Sequence, residues 1–533
     1  MKKRRYLAFI LVIVMSLSLL AACAPRNGGG DVAPPPPPPG PGAAQDGGQA
    51  TQDTPEPGET GRDRLIIGMT GDVGTFNPHT STMMLEFRIH QNIFDGIVRS
   101  NSLTGEIEPM LAERWTVSDD GMLYRFYLRN DVYFHNGDKF NAYNVLGNFE
   151  IWQDAIAATR IVSLVEEFIV IDEYTFEMVL TEPSTLFLVI LAGMAIVHDG
   201  VYNEDVALFG ERPVGTGAYM LASRTIGAGM EFTRFDRHFR GPAPIETVEI
   251  RILPDANTLA VALEMGEIDL IEGVPPASVQ ILQATDHLTV NILEGVQVTY
   301  IDMNTERAPF NDIRVRQAIA HAIDRQLIID MAREGLGTPT NIVHLNAMPF
   351  RPVGYPVFEH NPQRARELLA EAGFPNGLVL DEPIITGGWV LTVTEVVQNL
   401  LMLSGIDAEV APMEWGPLSQ ATQDGDFLMT ISGWNSISLH PDFFMHLYRS
   451  ENIGSTNSPR FSNPRVDELA DLAIITADPA AVQEIYNELY YIISTELPRI
   501  PIYVNAFIVA HDENLQISGL NSIANNYFNM SWR

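Results

Sequence analysis

The sequence predicts an α/β body of two lobes, and three observations carry that expectation. Strand-type alternation recurs along the whole chain, helical runs with their own start and stop signals lie between the strands, and beyond residue 63 no second low-complexity linker occurs. The last point implies lobes woven together by crossing strands instead of strung in a row. With 533 residues, 46% of them hydrophobic, the chain has core enough for more than one lobe.

The elements follow in order. Leu65-Ile66-Ile67-Gly68-Met69 is a short apolar run that closes at Gly71 and suits a buried strand. Alternation marks further strands at Tyr124, Phe126 and Leu128, at Tyr174, Phe176, Met178 and Leu180, and at Val248, Ile250 and Ile252. A helix is expected after Asp312 as cap, with Val315, Ala318, Ile319, Ala322 and Ile323 on one face. Asn361 caps the next: Pro362 takes the first helical position, Ala365, Leu368, Leu369 and Ala372 fall at i, i+3, i+4 and i+7, and Gly373 ends it. Phe427, Met429 and Ile431 alternate as a strand. Asn463-Pro464 and Asp478-Pro479 then start two helices, and Pro498 stops the second before a strand at Ile500 to Val504. No internal repeat of fixed period is present.

Charge and cysteine narrow the function classes. The chain carries 33 basic and 67 acidic side chains, and a surface so acidic repels phosphate backbones and anionic headgroups. Nucleic acid is therefore excluded as a partner, and so is charge-driven membrane docking. A single cysteine makes no internal disulfide and no Cys-based zinc site. Its position is the informative point. Lys2, Lys3, Arg4 and Arg5 precede an uncharged apolar stretch from Tyr6 to Leu20, too short for a membrane span of about 20 residues and suited to a secretion signal. Leu20-Ala21-Ala22-Cys23 resembles a bacterial lipobox, which implies a signal peptide over 1–22 and diacylglyceryl attachment to Cys23 after cleavage. Two or three acyl chains anchor stably where one does not. An ordinary cleaved signal with an incidental cysteine is the competing reading. Residues 23–63, rich in Pro, Gly, Gln, Asp and Thr and including Pro34 to Pro39, form the expected tether between anchor and body.

Catalytic signatures are missing. The chain has no G-x-x-x-x-G-K-[ST] loop, no H-E-x-x-H pair, no G-x-S-x-G elbow and no C-x-x-C. The histidines are scattered, and the closest pair in the HPDFFMH stretch, His440 and His446, lacks a clustered third ligand. No catalytic residue, no metal site and no cofactor is assigned, and the chain is read as a non-enzyme.

Ten or so short strings then occur in one order over nearly four hundred residues. They include Thr75-Phe76-Asn77-Pro78, Ile93 to Val98, Phe134-His135-Asn136-Gly137, Pro213 to Tyr219, Val315 to Ile319, Gly266-Glu267-Ile268-Asp269, Glu414-Trp415, Gly433-Trp434 and Val466-Asp467-Glu468-Leu469. In this the chain resembles the oligopeptide/dipeptide/nickel class (family 5) of extracellular solute-binding proteins of ABC importers. The resemblance covers Leu65 to about Val509. It implies a periplasmic-binding-protein-like fold of two lobes closing by a hinge, with an extra domain inserted in the N-terminal lobe. Lobe I is placed at 64–105, 208–302 and 505–533, the inserted domain at 106–207 and lobe II at 303–504. The hinge strands are placed near Val298 to Asn304 and Ile500 to Asn505, where few residues would absorb the rotation.

The resemblance also places ligand contact between Glu414 and Asp442. Trp415 and Trp434, with Trp389 earlier, offer flat faces, although each could instead be core. Peptide-binding relatives commonly carry an Asp three residues after the Gly-Trp, pairing with the peptide ammonium. Here that position is Ile437, and from Phe427 to Pro441 no Asp, Glu, Lys or Arg occurs. An ammonium buried there without a counter-charge is costly by several kcal/mol. A zwitterionic di- or tripeptide is thus disfavoured. An oligosaccharide stacked on Trp and bonded to Asn435, Ser436 and Ser438, or a peptide read through its backbone, fits better. Thr75, Phe76 and Asn77 are expected to face the cleft from the other lobe. The implied partners are an oligopeptide or oligosaccharide solute, an ABC permease with its ATPase subunits, and the membrane through the lipid anchor, the protein itself being a monomer on the outer or periplasmic face. A surface or sensory lipoprotein without a transport role is the alternative.

Overall fold

The computed structural model describes residues 62–533 apart from 82, 156–157 and 524–525; the signal stretch, Cys23 and most of the tether lie outside the described residues. Strand β1 (Arg64–Met69) leads through a loop into helix α1 (Met84–Ile93). Next comes a separate antiparallel sheet of β2 (Ala112–Val117), β3 (Leu123–Leu128), β4 (Val165–Asp172) and β5 (Thr175–Leu180), in the order β2-β3-β5-β4. Helices α2 (Ala142–Trp152) and α3 (Thr159–Leu164) lie between β3 and β4. Phe126, Phe176, Trp152 and Phe187 pack in a core of its own, all of it between residues 97 and 196.

The chain then builds β6 (Tyr219–Thr225), β7 (Gly229–Arg234), β8 (Thr247–Ile252), β9 (Leu270–Glu272) and the 16-residue β10 (Leu288–Met303). Beyond it lie α4 (Ile313–Ala322), β11 (Gly337–Pro339), α5 (Pro362–Glu371), β12 (Ile384–Gly387), α6 (Leu391–Leu403), β13 (Val410–Met413), α7 (Trp415–Asp424) and β14 (Met429–Asn435). Helices α8 (Asp442–Met445), α9 (Pro464–Ile475) and α10 (Pro479–Glu496) precede β15 (Arg499–Asp512). One eleven-stranded sheet runs through the body in the order β13-β12-β14-β10-β15-β9-β1-β8-β7-β6, with β11 paired to β15 at the side.

The predicted caps are in place. Asp312 accepts from the Arg314 N–H, Asn361 from Arg364, Asn463 from Arg465 and Val466, and Asp478 from Ala480 and Ala481. Each satisfies donors that the first helical turn leaves orphaned, at about 1 kcal/mol per cap. Phe427 is buried but precedes its strand, and the strand read at Ile500 to Val504 continues to Asp512.

The two long strands carry the chain from one half of the sheet to the other. Leu288 to Glu294 of β10 pairs with Asp512 to Ala506 of β15, and Val298 to Asp302 pairs with Val504 to Arg499. The ladder is interrupted between Glu294 and Val298. At Gly295 a Cβ would stand 2.4 Å from the Asn505 carbonyl oxygen, so the interruption depends on a residue without a side chain. Separate cores lie on either side of it. Leu65, Ile67, Phe76, Phe232 and Ile250 gather on the β1 side, and Ile301, Ile319, Leu369, Val397 and Ile431 on the β14 side. A third, aromatic core of Tyr300, Phe444, Tyr448, Tyr486 and Tyr490 lies under α10.

Candidate functional site

The strand directions locate the site. Strands β13, β12 and β14 are parallel neighbours ending at Met413, Gly387 and Asn435, and the end of β14 sits opposite Gln297, at the interruption in β10. In the other half, β1 is parallel to β8 and β9, and β9 runs antiparallel to β15 from His511 toward Val509, again toward Asn505. The carboxyl ends of parallel strands from both halves therefore converge on the crossing. In open α/β sheets the crevice outside such ends is where ligands bind.

The residues that follow the β12, β13 and β14 ends form one wall. Trp389 comes two residues after β12 and is 48% exposed. Its ring lies against the backbone of Gly387, where a Cβ would stand 2.6 Å from Nε1, so the bare glycine is what lets the indole lie across the strand end. Trp415 opens α7 and is 65% exposed. Trp434 is half-buried, edge-to-face with His446 at 5.0 Å. Asn435 is exposed and Ile437 is 42% exposed. Ser436 is wholly buried: its N–H donates to the Val296 carbonyl at 2.9 Å and its hydroxyl to the Ser438 carbonyl at 2.6 Å, so it ties the turn to β10.

The loop after β1, expected to face the cleft from the other lobe, is closed on itself. The Glu86 carboxylate, buried on α1, accepts the N–H of Gly74 at 2.6 Å and of Thr75 at 3.3 Å, and the Ser81 hydroxyl on its second oxygen. Thr75 Oγ1 accepts the Asn77 N–H at 3.0 Å, while its carbonyl accepts from His90 Nε2 at 3.1 Å. Asn77 is buried; its Oδ1 accepts the His79 N–H at 3.0 Å and its amide donates to the Tyr202 hydroxyl at 3.3 Å. Phe76 is fully covered in the β1-side core, with Phe232 edge-on at 6.4 Å and the Arg224 guanidinium 5.2 Å over its ring. The three residues read as cleft-facing thus shape the loop from within, and Trp389, Trp415, Asn435 and Ile437 are the ones left open.

Several groups near the crossing carry no local sequence signal. Arg88 of α1 pairs with Glu272 at the end of β9, 3.2 Å away, and covers Phe507 of β15. Asn505 donates to Gln297 and accepts from Thr299, bracing the interruption from the β15 side. The uncharged segment before Asp442 also gains a cation from far away, because Arg160 Nη2 of α3 reaches Asp442 Oδ2 at 2.6 Å. Asp442 is buried. Burial works against its charge, yet Arg160 and Arg449 outweigh that and hold its carboxyl below the usual range. Burial pushes His440, His446 and His79 down to about 4, so all three are neutral at pH 7. Among the described residues no group of three His, Cys, Asp or Glu side chains could hold a metal ion, and no helix is long and apolar enough to cross a membrane.

Comparison with known proteins is consistent along the body. The family "Bacterial extracellular solute-binding proteins, family 5 Middle" matches residues 106–456. Heme-binding protein A of Haemophilus influenzae is 28% identical over 452 residues, covering 77% of this chain and 81% of the relative. Glutathione-binding protein GsiB of Escherichia coli is 27% identical over 469 residues, covering 85% and 91%. Among solved structures, the ABC transporter-associated periplasmic binding protein DppA of Helicobacter pylori, in complex with peptide STSA, superimposes with a TM-score of 0.78 at 25% identity over 88% of this chain and 98% of that one.

Proposed function

This chain belongs to the family 5 bacterial extracellular solute-binding proteins and serves substrate capture for an ABC importer; from that premise we propose that its two lobes close on a peptide-like or other oligomeric solute at the strand crossing. The observation that carries the reading is the wall of exposed Trp389, Trp415 and Ile437 at converging strand ends, with no charged residue from Phe427 to Pro441. Such a wall favours a ligand that offers flat or apolar surface and hydrogen bonds over one held by its terminal charges. Of the relatives' ligands, heme, glutathione and the peptide STSA, only the last is a plain peptide, and a peptide read through its backbone suits this wall. A sugar oligomer is the second reading, supported by the open Trp faces beside the Asn435 amide.

Closure follows from divided contacts. A solute touching both walls binds the closed form better, and that differential affinity shifts the population. Lobe I over 64–105, 208–302 and 505–533, an inserted domain over 106–207 and lobe II over 303–504 are the moving parts in this reading, with the Gly295 interruption as the bending point. Acylated Cys23 and the tether over 23–63 would keep the closed form near its permease, raising effective concentration without a new contact.

Native mass spectrometry of protein purified without refolding tests the ligand: a co-purified peptide of several residues or an oligosaccharide is expected, and a zwitterionic dipeptide would overturn the uncharged-wall argument. Ile437→Asp should create affinity for free short peptides while changing stability by no more than about 0.5 kcal/mol, as for an exposed site. Cys23→Ser should move the protein from membrane to soluble fraction, and retention in the membrane refutes the anchor.

A further inference from the structure

Beyond the strand pairing of the central sheet, a second seam joins the four-stranded-sheet unit to the second half of the body. Arg160 stands on α3 beside Ile161 of that unit's core, and Asp442 opens α8, whose Phe444 and Met445 belong to the aromatic core under α10. Their 2.6 Å contact joins residues 282 positions apart in sequence. The guanidinium also lies over the Phe443 ring at 5.7 Å. Nearby, Thr185 donates twice to the carbonyl of Ile474, from its N–H at 2.7 Å and its hydroxyl at 2.9 Å. That carbonyl is at the end of α9, where helical acceptors lack an internal partner.

The two sides of the ion pair are unequal. Asp442 is 1% exposed and its oxygens are divided, Oδ2 on Arg160 and Oδ1 on Arg449 at 3.4 Å. Arg160 is 45% exposed. Without Arg160, the buried Asp442 carboxylate keeps only the longer Arg449 contact and one oxygen goes unpaired, which is disfavoured, whereas a half-exposed guanidinium is readily rehydrated. Separation at this seam therefore penalises the Asp442 side and costs the Arg160 side little. That is the asymmetry of a fastening that favours contact yet releases.

We infer that Arg160 and Asp442, with Thr185 on Ile474, form a clasp that holds the four-stranded-sheet unit against the second lobe and so biases the cleft toward its closed form. Arg160 is then a positioning residue: it acts on solute retention through the closed population. The inference rests on the capture reading for its consequence. The clasp itself is measurable without solute.

The test uses the full chain carrying Cys23→Ser, with nitroxides at Asp119→Cys and Gln420→Cys, both exposed positions on opposite sides of the seam, read by pulsed electron spin resonance. Arg160→Met should shift the distance distribution to longer values and lower the closed-to-open ratio about fivefold, an effect of the size a single interaction has on a two-state balance. Arg160→Lys should restore most of the short-distance population. Arg160→Met with Asp442→Leu removes the stranded charge as well, and should keep the long distances while its thermal midpoint returns to that of the parent. A distribution for either Arg160→Met variant that superimposes on the parent overturns the clasp. Adding tryptic peptides or maltooligosaccharides to the parent is a separate arm: contraction supports solute capture, and its failure with both counts against that reading alone.

Discussion

On the β1 side of the cleft the loop from Gly74 to Ser81 directs its polar groups inward, to Glu86, Tyr202 and one another, and Phe76 is sealed in the core. On the β14 side, Trp389, Trp415 and Ile437 are left with faces toward solvent, while Ser436 and Ser438 bond within their turn. The first wall has its ordering cost met during folding. The second keeps surface and side-chain freedom in reserve for a ligand. Substitutions should therefore register as lost stability on one side and as lost affinity on the other.

Acidification should break the contrast, and with the largest effect, because both walls depend on neutral imidazoles, buried at His79 and half-buried at His440 and His446. His79 on one side and His440 and His446 on the other are held down to about 4 against 6.5 when unfolded. A lowered folded value means that the unfolded chain takes up protons first. This contribution is complete above pH 6.5, shrinks as pH falls from 6.5 to 4, and is flat below, at about 3 kcal/mol for the buried His79 and less for the half-buried His440 and His446. Urea unfolding at pH 7 and pH 4.5 should differ by several kcal/mol, and equal stabilities would refute the assignment. Asp442, lowered in the folded state, adds a further loss as pH falls below the range of an ordinary carboxylate.

Glu86→Ala should sharpen the contrast from the closed side. It strands the Gly74 and Thr75 N–H groups and the Ser81 hydroxyl, at about 2 to 4 kcal/mol of unfolding free energy. Trp389→Ala sharpens it from the open side with the smallest effect on folding: under about 1 kcal/mol in a thermal melt, against a roughly tenfold weaker titration with the solute that co-purifies. A Trp389→Ala protein that loses stability and keeps its affinity would invert the assignment of the two walls.

Much of this was legible in the sequence. The helix caps at Asp312, Asn361, Asn463 and Asp478 could be read because their signal is local, within three residues. The full length of β15 could not: only its first part, Ile500 to Val504, is legible, and the remainder is half-buried from Asn505 to Phe507 and then buried from Ile508 to His511 between β10 and β9, without the alternation that marks a half-exposed strand. Phe76 shows the limit for site residues. An aromatic in a strand-end loop can turn to the cleft or to the core, and what turned it inward, Phe232 and Arg224, stands some 150 positions away. Arg160 was missed for the same reason, since a scan of the segment around Trp434 sees no cation that arrives from another domain.

The central sheet also sets a timetable for biogenesis. β9 joins β15 to β1, so the amino-terminal half of the sheet acquires the neighbour of Leu270 to Glu272 only after residues 499–512 have been synthesised. Pairings of such sequence separation form slowly, since a loop of hundreds of residues must close before any bond rewards it. A nascent chain of 450 residues holds β1 and β8 yet lacks the strand that links them to β10. Such a chain stays unfinished for as long as it is being made, which is the state a translocation pore can thread.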